Sequence, residues 1–215
     1  MGNYRDIFTL LNNNTQLNEW IHVNCGKKYN LMDYVMFLEN SVLHTCHRDN
    51  NGDRFNDIKP NKSYTMIIYI DDMQECLDVI PKSHRHDVGI YAYDSTNTFL
   101  CNPGSIILFD ANLIHSGSIF GKESNRRIQL KVSHDDDIEK LSFYQNYHKL
   151  MNKTNTNSFV SKAMQKHVTC QFPFVGDITQ GNDKEYIKGN ISPSSQKFSE
   201  VFYSDKNYYK LKDAF

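Results

Sequence analysis

The chain has 215 residues, 24 Lys and Arg against 25 Asp and Glu, a net charge of −1, and 13% aromatic residues. That length suits one domain with a sizeable core, and the aromatic content is too high for a disordered chain. A charge so near zero supplies no field to recruit nucleic acid or an anionic membrane surface, and no apolar run approaches spanning length, so neither is an expected partner.

Residues 4 to 42 read as mainly helical. Tyr4, Ile7, Phe8, Leu10 and Leu11 fall at helical spacing, as do Leu31, Tyr34, Val35 and Leu38, with Asn30 as a cap. After Asn40 the period changes to two. A strand over 42 to 47 sets Leu43, Thr45, His47 and Asp49 on one face. Residues 50 to 62 are polar and hold Gly52 and Pro60, which makes them a loop. The run 64 to 70 (YTMIIYI) is strongly β-prone, and 76 to 80 is a shorter strand closed by Pro81. Residues 82 to 103 look irregular. Strands follow over 105 to 109, 113 to 120 and 126 to 133. Residues 135 to 165 look helical again, and 171 to 215 form a polar, Tyr-rich extension.

Short β segments joined by turns predict a mainly β fold with flanking helices, a sandwich or jelly-roll barrel rather than alternating β/α units. The expected layout is a single domain over 1–215, with a helical part at 1–41, a jelly-roll core at 42–134 and a C-terminal extension at 135–215. The N-terminus carries no apolar signal segment, and the five cysteines are scattered and odd in number. The expectation is a cytoplasmic protein with reduced thiols.

The chemistry concentrates in His47-Arg48-Asp49, in His115 66 positions after Asp49, and in the pair Arg126-Arg127. Two imidazoles and a carboxylate in this pattern are the ligand set of a mononuclear non-haem iron(II) site, which leaves other positions open for O2 and a co-substrate. A guanidinium downstream suits the far carboxylate of a 2-oxo acid. Arg126 shares strand parity with Ile128, Leu130 and Val132. If those residues face the core, Arg126 points into the barrel and Arg127 points out. His115 could instead be a satisfied core histidine, and His47-x-Asp49 a surface turn. A kinase reading of His-Arg-Asp fails because position 54 is Arg, not the required Asn. His84-x-His86 and His134-x-Asp136 are rival ligand pairs, but neither has a second His and an Arg arranged as cleanly downstream.

Three blocks resemble the phytanoyl-CoA dioxygenase-like branch of the iron(II)/2-oxoglutarate oxygenases. They are His47-Arg48-Asp49, the stretch 64–84 (YTMIIYIDDMQECLDVIPKSH) and the stretch 102–132 (NPGSIILFDANLIHSGSIFGKESNRRIQLKV). Glu75-Cys76 and Lys82 depart from the family pattern, which has Asn-Gly and Gly at those places. The resemblance implies a double-stranded β-helix with His47, Asp49 and His115 as iron ligands. It also implies that Arg126 holds the 5-carboxylate of 2-oxoglutarate and that Tyr69 lines its pocket. The implied reaction couples decarboxylation of 2-oxoglutarate, with O2, to hydroxylation of an unidentified small-molecule or protein substrate. An aspartate at position 49, where halogenating relatives have a small residue, points to hydroxylation. The alternative is a non-catalytic or cupin-like metal-binding barrel; an inward Arg126 argues against the cupin, and the intact triad against a non-catalytic relative.

Overall fold

The computed structural model describes residues 4–40, 42–49, 61–84, 96–122, 125–139, 141, 144–152 and 156–171. The expected loop at 50–62, much of 82–103, His86 and the extension beyond 171 therefore lie largely or wholly outside the described residues.

Helices α1 (Tyr4–Asn12) and α2 (Thr15–Cys25) come first, and Asn14 caps α2 by accepting from the Leu17 N–H at 2.9 Å. Eight strands follow: β1 (Tyr29–Glu39), β2 (Ser63–Tyr69), β3 (Gln74–Val79), β4 (Asn97–Cys101), β5 (Ile106–Asp110), β6 (His115–Gly117), β7 (Arg126–His134) and β8 (Tyr147–Asn152). Helix α3 (Phe159–Gln171) is the last described element. Five strands form a sheet in the order β5-β2-β7-β1-β8, and three form a second in the order β4-β3-β6. Ile67, Tyr69 and Phe109 of the first pack against Cys76, Leu77, Val79 and Cys101 of the second. The protein is a mainly β double-stranded β-helix with flanking helices, as the resemblance implies, and the turn-rich pattern anticipates its two sheets of short strands.

The larger sheet is covered on both sides, and this governs everything about the site. Its outer face carries Leu31, Val35, Met66, Leu130 and Val132 against Leu17 and Ile21 of α2, with Ile7, Phe8 and Leu11 of α1 alongside. Its inner face looks into the barrel. That double burial explains why residues 29–39 are a strand and not the expected second helix. A strand covered on both faces is apolar throughout. A register shift between Leu31 and Val35 then places apolar residues at spacings that imitate a helical stripe. Two edge strands also escape the sequence pattern. Four of the five residues of β4 are exposed, and the polar β8 runs parallel to β1 inside the stretch expected to be helical.

Helix α3 braces the smaller sheet from outside. Lys166 Nζ donates to Asp78 of β3 and, at 2.9 Å, to the carbonyl of Gly117 in β6, while the Cys46 N–H donates to Thr169 Oγ1 at 2.8 Å. Cys46–Cys170 and Cys76–Cys101 are disulfides with Cα separations of 5.1 and 5.9 Å, and Cys25 is free. The expectation of five reduced thiols is corrected here. The partners lie 124 and 25 residues apart, a relation that cysteine spacing does not reveal. Both side chains of the Lys166–Asp78 pair are almost wholly buried. Lys166→Ala leaves a buried, uncompensated carboxylate, so a loss of about 3–5 kcal/mol in unfolding free energy is expected by denaturant titration.

Candidate metal centre

His47 and His115 are direct cross-strand partners. The His47 N–H donates to the His115 carbonyl and the His115 N–H to the His47 carbonyl, both at 2.9 Å. Glycine at 117 permits the close approach behind this pairing, because a Cβ there would fall 2.4 Å from Val42 Cγ1. Beyond His47 the chain turns so that the Asp49 N–H reaches the Ala111 carbonyl at 2.9 Å. Arg48, between the two candidate ligands, points the other way. Its buried guanidinium donates to the carbonyls of Asn112 (2.9 Å) and Ser83 (3.3 Å), which ties the His47 segment to the turn that precedes His115.

Each imidazole is held by its own strand. His47 Nδ1 lies 2.8 Å from the Thr45 carbonyl, and His115 Nδ1 lies 2.9 Å from the Leu113 carbonyl. A carbonyl accepts only, so Nδ1 carries the proton in both rings and Nε2 keeps its lone pair. Both Nε2 atoms face Asp49 Oδ1, at 3.9 Å from His47 and 3.7 Å from His115. The ligand atoms of the three residues all lie within 4.8 Å of one another, a grouping that could hold a metal ion, and among the described residues no other such group occurs. Phe109 packs its ring 4.6 Å from that of His115 and closes one side against water.

The electrostatics favour ligation. Burial, reinforced by neighbouring His115, pulls His47 down to about 3, and burial likewise lowers His115. Both rings are therefore neutral at pH 7, the state in which an imidazole binds a metal. Burial works to raise the Asp49 carboxyl, but Lys131 and the two histidines outweigh it and hold the group well below the usual carboxylate range. The donor set is thus two neutral nitrogens and one anionic oxygen, which fits a divalent first-row metal such as iron(II).

Arg126 does not sit where its parity predicts. It lies at the exposed start of β7 and grips Asp71, with Nη2–Oδ1 at 2.8 Å and its own N–H donating to Oδ2 at 2.8 Å. Ile128, Leu130 and Val132 do face a core, but it is the core under the helices. The opposite parity looks into the barrel and carries Arg127, Gln129 and Lys131. Arg127 stands directly across from Tyr69, whose fully buried side chain lies between the sheets. Burial lowers the Arg127 pKa, an effect that Tyr69 opposes, and Arg127 also donates to Asn125 Oδ1. Burial pushes the Tyr69 phenol up to about 12, so it stays protonated.

Two further residues at the site escape the sequence reading. Lys131, 1% exposed, places Nζ 2.9 Å from Asp49 Oδ2 and 3.2 Å from Thr65 Oγ1, and the Thr65 hydroxyl itself donates to Asp49 Oδ2. The available signal was a lysine between Leu130 and Val132 in β7, on the parity of Arg127. Of the rival pairs, His134 Nδ1 accepts from the Asp136 N–H and caps a short 3-10 turn, and His86 lies outside the described residues.

Comparisons with known proteins bear on the class. The fold resembles EvdO2 from Micromonospora carbonacea var. aurantiaca complexed with 2-oxoglutarate (12% identity, 60% of this chain and 63% of that chain, TM-score 0.42). It also resembles the non-heme monooxygenase ThoJ in a nickel complex (10%, 74% and 71%, TM-score 0.39) and the non-heme alpha ketoglutarate dependent carbocyclase SnoK (14%, 56% and 56%, TM-score 0.32). The chain spans less than two thirds of the EvdO2 and SnoK chains. No curated protein matches it. Among the described residues no helix is long and apolar enough to cross a membrane. The model of the family described as phytanoyl-CoA dioxygenase (PhyH) matches residues 11–120, just over half the chain, a stretch that holds His47, Asp49 and His115 and ends before the arginine pair. The chain therefore belongs to the phytanoyl-CoA dioxygenase (PhyH) family.

Proposed function

We propose that this protein is an iron(II)- and 2-oxoglutarate-dependent dioxygenase that hydroxylates a small-molecule or protein substrate, with His47, Asp49 and His115 as the iron ligands. The observation that carries the reading is the aim of both Nε2 lone pairs at one oxygen of Asp49, with both Nδ1 atoms tied back to the strands. Iron(II) bound there would supply the oxidising chemistry, in which 2-oxoglutarate and O2 give succinate and CO2 as one oxygen atom enters a C–H bond of the substrate.

The chain's own residues do the rest. The backbone pairing of His47 with His115 fixes the ligand spacing before any metal arrives, so little reorganisation accompanies binding. Arg127, not Arg126, is the residue we assign to the 5-carboxylate of 2-oxoglutarate, because it faces the barrel on the strand that carries Lys131. Tyr69, across from it and protonated, offers a second donor to the same carboxylate. Lys131 lies four positions after Arg127, about 13 Å along the strand, so the arginine approaches the metal position from beyond the oxo acid rather than competing for it. Phe109 and the apolar residues between the sheets keep bulk water from the oxidant.

A second reading, a metal-binding barrel without oxygenase turnover, draws on the ion pair that Lys131 already makes with Asp49. Anaerobic titration of the metal-free protein with iron(II) and then 2-oxoglutarate separates the two. A weak visible charge-transfer band on adding the oxo acid is the result expected of the oxygenase. Iron binding without that band supports the second reading. Absence of iron binding sinks both.

A further inference from the structure

Asp49 has two oxygens, and the surrounding residues treat them differently. Oδ1 faces the two imidazole Nε2 atoms, at 3.9 and 3.7 Å. Oδ2 is turned away and held twice, by Lys131 Nζ at 2.9 Å and by the Thr65 hydroxyl, and these two hold each other at 3.2 Å. Lys131 is itself enclosed. Its Nζ lies 5.8 Å from the centre of the Tyr34 ring and 5.7 Å from that of Tyr144, and both tyrosines are fully buried. The cation is thus held inside the barrel beside the carboxylate.

We propose that Lys131, assisted by Thr65, is a positioning residue that keeps Asp49 Oδ2 away from the metal, so that aspartate contributes one oxygen only. The proposal rests on the reading of His47, Asp49 and His115 as a metal site. A carboxylate can bind a metal through one oxygen or through both. With one, three ligands leave three positions of an octahedron open, two for a chelating 2-oxo acid and one for O2. With both, Asp49 would take a fourth position, and the oxo acid would fill the remaining two. The device therefore acts on co-substrate capacity rather than on whether metal binds.

Stability alone does not account for the lysine. Replacing a buried ion pair by apolar residues of similar volume is often neutral or stabilising, so stability does not by itself require the Lys131–Asp49 pair. Packing supplies the geometry for the positioning role. Lys131 and Thr65 are cross-strand partners on β7 and β2, so their side chains leave the sheet side by side on the barrel face and meet one oxygen together.

The test uses full-length protein and the variant Lys131→Met, titrated anaerobically with iron(II), then 2-oxoglutarate, then nitric oxide as a surrogate for O2. Lys131→Met should still bind iron(II), because its carboxylate is freed and not removed. It should still give the charge-transfer band with 2-oxoglutarate, but the nitric oxide electron paramagnetic resonance signal of that complex should fall by about tenfold or more, because no position is left open. A variant that binds 2-oxoglutarate and nitric oxide as the parent does overturns the proposal, and so does one that loses iron itself while keeping its fold. Failure of the parent protein to bind iron overturns the metal reading and this proposal together, which separates that failure from a failure of Lys131 alone. Should Lys131→Met not fold, Thr65→Val removes the second hold. The nitric oxide signal of the 2-oxoglutarate complex should weaken in Thr65→Val and return in Thr65→Ser, and an unchanged signal in Thr65→Val overturns the proposal.

Discussion

Replacing His115 by alanine should abolish both tight iron binding and turnover. The substitution removes one of three ligands, and the remaining pair, His47 and Asp49, cannot define a face of an octahedron. Outer partners of a metal site cost about 10- to 100-fold in affinity when lost, so loss of a ligand should exceed the upper end of that range in an anaerobic iron(II) titration. The fold should survive. The two hydrogen bonds that pair His115 with His47 are made by backbone atoms, and the Leu113 carbonyl that receives Nδ1 lies two residues away in the same chain segment. Circular dichroism of the variant should therefore match the parent, and the loss then belongs to the metal and not to unfolding. Retention of tight iron binding by His115→Ala would remove His115 from the ligand set and reopen the site assignment from the start.

The same site shows how much of the protein could be read from its residues and where reading stopped. Residues 42–49 form an isolated bridge at His47 rather than the expected strand, yet the His-x-Asp spacing still brings Asp49 Oδ1 within 3.9 Å of His47 Nε2. His115 was reachable because it sits in an apolar strand after a turn at Asp110-Ala111-Asn112. The choice between Arg126 and Arg127 was not reachable. It depends on which side of the larger sheet is the barrel, and both sides are apolar because helices α1 and α2 cover the outer one. A strand in that position has two buried faces, so hydrophobicity alone cannot say which parity meets the active centre. The same double burial disguised β1 as a helix. Lys131 was missed for a related reason: its partners Asp49, 82 residues away, and Thr65, 66 residues away, are brought to it by topology alone.

Arg127→Ala should raise the 2-oxoglutarate requirement far more than Arg126→Ala. Arg127 faces the barrel opposite Tyr69, in a setting where burial already lowers its pKa. Truncating one partner of a buried, hydrogen-bonded charge pair costs about 2–5 kcal/mol, and at 1.4 kcal/mol per decade this is roughly a 30- to several-thousand-fold weaker dissociation constant. Arg126 is exposed and already paired with Asp71. Its removal should leave the 2-oxoglutarate requirement within about a factor of two, as for other surface substitutions. The measurement is the 2-oxoglutarate concentration at half-maximal charge-transfer absorbance in each variant, with iron(II) affinity measured first to show that the metal site is intact. Tyr69→Phe supplies an internal control. It removes one hydroxyl and no charge, so its effect should fall between the two arginine variants, near the ~1 kcal/mol of a single hydrogen bond. If Arg126→Ala proves the more damaging arginine variant, the barrel face of β7 has been assigned to the wrong parity, and Lys131 would have to be reconsidered with it, since the two stand on the same side of one strand.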